Sequence, residues 1–259
     1  MSTFLFDDII FGPVDSRRLG TSLGINLLPT TYKICNFNCI YCECGLTEYK
    51  PTVKSEFPNS TDIHVRLETK LKQFSETGKK LDSITFAGNG EPTLHPEFGT
   101  IINSTVELRD KYCPEALVSV LTNSTHIHRQ DIRDALDKTD QNIIKLDSAF
   151  EETVNLINCP KKKFVLDDFL LYARSFKNKP VLQTMFFRGT YKNQQIDNTK
   201  REEIASWLHA IKKINPKLVM IYTIARNTPI DSLQKISEHE LEVIADLVKR
   251  LGIPVHVSG

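Results

Sequence analysis

The strongest constraint on this chain is an alternation. Short apolar runs at residues 22–28, 83–87, 117–121, 142–146, 181–187 and 218–223 read as strands. Helix-like stretches at 62–79, 97–111, 129–138, 167–176, 199–214 and 238–251 follow them in turn, and a run at 253–257 closes the chain. The stretch 62–79 shows the logic, with apolar residues at 63, 67, 71 and 74 forming one helical face. Alternation of this kind builds a parallel sheet with covering helices, wound one way by right-handed crossovers. The expected fold class is α/β, as an open doubly wound sheet or a partial barrel, with ligands at the C-terminal ends of the strands. No linker or repeat interrupts residues 1–259, so one domain is expected. Residues 1–21 form an N-terminal extension and 29–60 an irregular loop region.

Polar groups inside apolar strands are unfavourable unless paired or used. Here they recur at one end of the runs. Gly88-Asn89-Gly90-Glu91 follows the second run and Asn123 the third. Lys145 and Asp147 share one side of the fourth, as Gln183 and Met185 do of the fifth, and Arg226 follows the sixth. The pattern predicts a shared pocket.

Of the six cysteines, 35, 39, 42 and 44 crowd together while 113 and 159 stand apart. Thiols spaced as Cys35, Cys39 and Cys42 converge on one metal centre when the chain between them loops. Three such ligands leave a cubane iron–sulfur cluster one iron short of full protein coordination. The competing reading is a closed zinc site with Cys44 as fourth ligand. Cys113 and Cys159 read as packing or exposed thiols, which argues against an auxiliary cluster.

Composition excludes little. The chain has 33 basic and 32 acidic residues, a formal net charge of +1, which neither supports nor opposes nucleic acid. No apolar run approaches the roughly 20 residues of a membrane span. The N-terminus carries acidic residues where a signal peptide carries basic ones, so a cytoplasmic protein with no membrane partner is expected.

The Cys35/Cys39/Cys42 triplet, with Tyr41 before the last cysteine, resembles the signature of the radical S-adenosylmethionine (AdoMet) superfamily. Gly88-Asn89-Gly90-Glu91-Pro92 resembles that superfamily's glycine-rich motif, with Asn89 in the place of its first glycine. A narrower likeness joins Phe11-Gly12-Pro13-Val14, Ser16-Arg17-Arg18-Leu19-Gly20, Ser22-Leu23-Gly24-Ile25, the run from Gly88 to Pro96, Lys145-Leu146-Asp147 and Ile221-Tyr222-Thr223-Ile224. Together these resemble short radical enzymes related to wyosine-base synthases.

That resemblance implies a partial (β/α)6 TIM-like barrel and a 4Fe-4S cluster on Cys35, Cys39 and Cys42. It implies AdoMet on the open iron, cleaved by an electron from the cluster to a 5′-deoxyadenosyl radical that takes a substrate hydrogen. It places the Tyr41 backbone against the adenine and Gly88, Asn89, Gly90 and Glu91 at the methionine amino end. Asn123 and Asp147 are its candidates for the ribose, and Gln183 for the ribose or carboxylate. Arg17, Arg18, His95, Lys145 and Arg226 are candidates for substrate, and Cys44 is a thiol outside the ligand set. An outside electron donor such as flavodoxin or ferredoxin is implied. The implied substrate is a nucleobase, perhaps in tRNA; a free small molecule or peptide is the alternative. A non-catalytic iron–sulfur or zinc protein is the reading of another class. The stretch 178–200, with Tyr191 and Lys192, reads as a solvated loop, and Lys161-Lys162-Lys163 is too short to imply RNA.

Overall fold

The structure, a computed structural model, describes residues 4–47 and 57–259. Residues 48–56 of the expected 29–60 loop region, and the first three of the N-terminal extension, lie outside the described residues. The described residues form two compact units, one of 5–35, 47 and 57–142, the other of 4, 36–46 and 143–259.

In the first unit, β1 (Ile10–Ser16) pairs antiparallel with β2 (Gly20–Ile25). Helix α1 (Ser60–Thr77) opens on an Asn59 cap that accepts from the Asp62 amide, and buries Ile63, Leu67 and Leu71. Then come β3 (Ser83–Phe86), α2 (Phe98–Tyr112), β4 (Leu117–Thr122) and α3 (Gln130–Leu136). Strands β2, β3 and β4 are parallel and adjacent in that order. Every residue of β3 is buried, as expected of a strand covered on both faces.

The second unit is entered through β5 (Gln141–Lys145), followed by α4 (Glu151–Asn158), α5 (Leu166–Ala173) and β6 (Val181–Met185). A hairpin of β7 (Phe187–Tyr191) and β8 (Gln194–Asp197) leads to α6 (Arg201–Ile214) and β9 (Leu218–Tyr222). The chain ends with β10 (Gln234–Lys235), α7 (Glu238–Lys249) and β11 (Val255–Ser258). Strands β5, β6, β9 and β11 are parallel neighbours in that order, while β10, β7 and β8 make a small antiparallel sheet. Trp207 of α6 is fully buried and donates its indole N–H to Thr184 of β6 at 2.9 Å, locking helix to sheet.

Three expectations need correction. The extension 1–21 contains a strand, β1, whose Gly12-Pro13 hid it; proline is tolerated there because β1 is an edge. The run 181–187 is not one strand: it divides into β6 and β7. Within the stretch 178–200, read as a solvated loop, residues 187–197 form the β7–β8 hairpin, turned by Lys192 and Asn193, both with positive φ (49° and 60°). Helix α4 had no counterpart among the expected elements.

Candidate functional site

Two groups of buried polar side chains sit at strand ends, one in each unit. In the first, the glycine-rich turn after β3 grips the chain leading to Cys35. The Ile34 amide donates to the Asn89 carbonyl at 2.9 Å, and the Glu91 amide donates to the Ile34 carbonyl at 3.0 Å. Gly90 has φ +137°, a left-handed conformation that side chains resist. Gly88 backs onto Asn26, whose Oδ1 would stand 2.3 Å from an added Cβ.

Asn89 is fully buried. Its amide donates to the carbonyls of Phe6 and Pro29, both at 2.9 Å, and its Oδ1 accepts from the Phe6 amide. Asn89 therefore braces the turn rather than reaching outward from it. The Glu91 carboxylate is 2% exposed. It accepts from the Thr93 amide and hydroxyl, the Thr122 hydroxyl (2.7 Å) and the Asn123 amide (2.7 Å). Burial pushes its pKa up, and those four hydrogen bonds pull against it. The Asn123 side chain donates to Cys35 Sγ at 3.5 Å while its Oδ1 accepts from Thr125. Asn123, read from sequence as a ribose ligand, thus touches a candidate cluster ligand.

His95 is also a brace. It is 3% exposed; Nδ1 accepts from the Glu97 amide at 3.1 Å, and Nε2–H donates to the Pro58 carbonyl at 2.7 Å. Burial holds its pKa below the usual histidine value. Arg17 and Arg18 lie in the β1–β2 turn, at the N-terminal end of β2. The glycine-rich turn follows the C-terminal end of the parallel neighbour β3, the length of a six-residue strand away, about 20 Å. The sequence placed these arginines with the site because β1, and the reversal it imposes, was not visible.

In the second unit, residues 38–40 run along the end of α4. The Asn38 and Ile40 amides donate to the carbonyls of Asn158 and Ile157, both at 2.9 Å. The cysteine loop thereby satisfies carbonyls that a helix end leaves orphaned. Ile40 and Tyr41 pack with Ile157, Met185, Phe187, Ile196 and Tyr222, and Cys39 lies against that cluster.

Asp147 is the hub. Its side chain has no exposed surface, and its carboxylate accepts from the Tyr41 hydroxyl, the Asn158 amide (2.8 Å) and the Met185 amide (2.9 Å). Lys145 pairs with it at 3.3 Å and donates to the Tyr222 hydroxyl at 3.1 Å, its ammonium 5.0 Å from the Tyr41 ring centroid. Burial works against the Lys145 charge, yet Asp147, Tyr222 and Cys39 hold its pKa above the ordinary lysine value. Burial and Asp147 push the Tyr41 phenol well up. Asp147 thus takes four donors and holds Lys145, Tyr41, Asn158 and the Met185 amide together. Gln183 stands beside Lys145 in the β5–β6 register and is 6% exposed. Arg226 is exposed and ion-paired with Glu43 at 2.6 Å, next to Cys42 and Cys44 in sequence.

Asn158 was missed by the sequence. Its Nδ2 lies 3.3 Å from Cys39 Sγ. No motif marks it: it is one amide at the end of a short helix.

Cys35 and Cys39 each receive a side-chain N–H, from Asn123 and Asn158, a contact that favours the thiolate form in which cysteine holds an iron–sulfur group. Burial raises the Cys39 thiol to about 11, so a bound cation is what would draw off its proton at neutral pH. Among the described residues no helix is long and apolar enough to cross a membrane.

Comparison with known proteins agrees with this chemistry. A family model described as "Radical SAM superfamily" matches residues 30–166. The UPF0026 protein MJ1312 of Methanocaldococcus jannaschii is 33% identical over 246 residues, covering 93% of this chain and 70% of that protein. A Brachyspira hyodysenteriae protein named GTPase Obg is 30% identical over 237 residues, 90% of this chain but only 32% of that one. Among solved structures, a radical SAM methyltransferase from Sphaerobacter thermophilus superposes with TM-score 0.67 at 12% identity, over 92% of this chain and 65% of that chain. An archaeal TYW1 gives TM-score 0.54 at 12% identity, over 88% and 71%. At these identities the likeness shows the fold, which is the α/β partial barrel expected from the sequence. The chain spans about a third of the GTPase Obg relative and just under two thirds of the methyltransferase.

Proposed function

Because the chain belongs to the radical SAM superfamily, we propose that it is an enzyme that binds a 4Fe-4S cluster through Cys35, Cys39 and Cys42 and cleaves AdoMet reductively. The observation that carries the reading is the grip of Asn89, Gly90 and Glu91 on Ile34, which ties the superfamily's two motifs together at the residue before Cys35. When bound, the cluster and AdoMet supply a 5′-deoxyadenosyl radical for hydrogen abstraction. The protein's part is to hold and shield. The glycine-rich turn fixes the cysteine loop and offers the Glu91 carboxylate to the methionine ammonium. Tyr41 packs under the loop. Lys145, held charged by Asp147, supplies a fixed positive charge beside Cys39. Cys44 stays outside the ligand set. The electron would come from an outside one-electron donor of the flavodoxin or ferredoxin kind, in a cytoplasmic setting.

For the substrate we favour a nucleobase, with tRNA as its carrier. The support is the run of short motifs that resemble those of wyosine-base synthases. Free small molecules and peptides are the competing class. Anaerobic reconstitution tests the cluster: about four irons and four sulfides per chain support it, and zinc without iron overturns it. The substrate is tested by following deuterium from labelled candidates into 5′-deoxyadenosine. Salt-sensitive binding of tRNA supports the first class, and no binding at low salt removes it.

A further inference from the structure

We propose that the Asn158 amide donates a hydrogen bond to the Cys39 thiolate of the bound cluster and thereby sets how readily the cluster accepts an electron. This rests on the reading that Cys39 is a cluster ligand. The Asn158 Nδ2 lies 3.3 Å from Cys39 Sγ, 2.8 Å from the Tyr41 hydroxyl and 2.8 Å from Asp147 Oδ2. Tyr41 itself donates to Asp147 Oδ2, so those two oxygens are neighbours and one amide hydrogen faces both. The other hydrogen is directed to the sulfur. The amide's orientation is fixed by chemistry: turned over, it would aim its oxygen at a carboxylate and a sulfur, both acceptors.

Nor can the two residues drift apart. Asn158 is 2% exposed and is the last residue of α4. Its carbonyl and that of Ile157 accept the amides of Asn38 and Ile40, the residues on either side of Cys39. Sulfur and amide are therefore clamped by the backbone as well as by their own contact. Asp147 orients the amide and is itself anchored by Lys145 at 3.3 Å. Asn158 is a positioning residue in this account, acting through Cys39.

Hydrogen bonds to cluster sulfurs stabilise the more negative, reduced state and raise the potential. The strengthening of this bond on reduction is expected to favour the reduced cluster about tenfold. The test is a redox titration of the reconstituted full chain, read by electron paramagnetic resonance, in wild type and Asn158→Leu. The expected result is unchanged iron content with the reduced-to-oxidised ratio about tenfold lower at a fixed poise, a downward shift of about 59 mV for a one-electron couple. Asn158→Ser keeps a hydroxyl near Asp147 and decides the matter if the leucine variant does not fold; its potential falls in the same direction. Equal potentials in wild type and a folded, fully loaded variant overturn the inference and leave the proposed function standing. A wild-type chain that takes up no iron–sulfur cluster overturns both.

Discussion

Gly90 lies so close to Ile34 that a side-chain Cβ on it would stand 1.8 Å from the Ile34 carbonyl oxygen. The two residues form an isolated parallel bridge, flanked by the hydrogen bonds of Asn89 and Glu91 to the same residue. A sequence motif expected to meet a cofactor is thus also a backbone clamp on the cysteine loop.

Replacing Gly90 by alanine therefore meets two obstacles, the carbonyl and a φ of +137°. Gly90→Ala is expected to lose at least about 3 kcal/mol in chemical denaturation and to retain little iron after reconstitution. Gly78 is the control. It closes α1 with φ +63° and has nothing within 4 Å of an added Cβ, so Gly78→Ala loses only about 1 kcal/mol. Equal losses at the two positions would show that the clamp contributes nothing.

Lys145 and Asp147 are a buried pair, 13% and 0% exposed. Removing the carboxylate with Asp147→Ala strands the ammonium and is expected to destabilise the chain by about 3–5 kcal/mol. The double substitution Lys145→Met with Asp147→Leu removes both charges and should recover much of that loss. Urea denaturation monitored by circular dichroism measures both. A double variant no better than Asp147→Ala would mean that packing, not the charge, dominates there.

Burial holds the His95 pKa below 6.5, so the folded state binds its proton less readily than the unfolded chain. Stability from this residue is complete above pH 6.5 and is lost as the pH falls through the depressed, folded-state value. A plot of unfolding free energy against pH should slope upward by up to about 1.4 kcal/mol per unit in that window. In His95→Asn the slope from this residue is expected to vanish; an unchanged slope would assign it to other groups.

Glu91→Gln keeps the shape of the side chain and removes the charge. AdoMet binding to the reconstituted protein, followed by calorimetry, is expected to weaken about 10- to 100-fold with iron content unchanged. Unaltered affinity would remove Glu91 from the methionine end.

The parallel strands were legible because they are continuous apolar runs, and Asp62 to Lys79 announced α1 by its spacing. The β7–β8 hairpin was not legible, since Arg188 to Asp197 alternates poorly and its turn lacks glycine. The cysteines and the glycine-rich turn were readable because each is a local pattern. The roles of Asn89, Asn123, Asp147 and Asn158 depend on partners far away in sequence, and strand position alone does not say whether an amide faces a ligand or a neighbour. Arg17 and Arg18 show the same limit: their place follows from the direction of β1, which no local signal supplied.

Cys39 and its two motif partners are expected to hold a cluster that cleaves AdoMet. The most direct measurement is 5′-deoxyadenosine released by the anaerobically reconstituted, reduced protein given AdoMet. Wild type and Cys44→Ala are expected to release it, and Cys39→Ala is expected to release none. Release that survives in Cys39→Ala, or no release from a wild-type chain carrying a full cluster under strong reductant, would contradict the account.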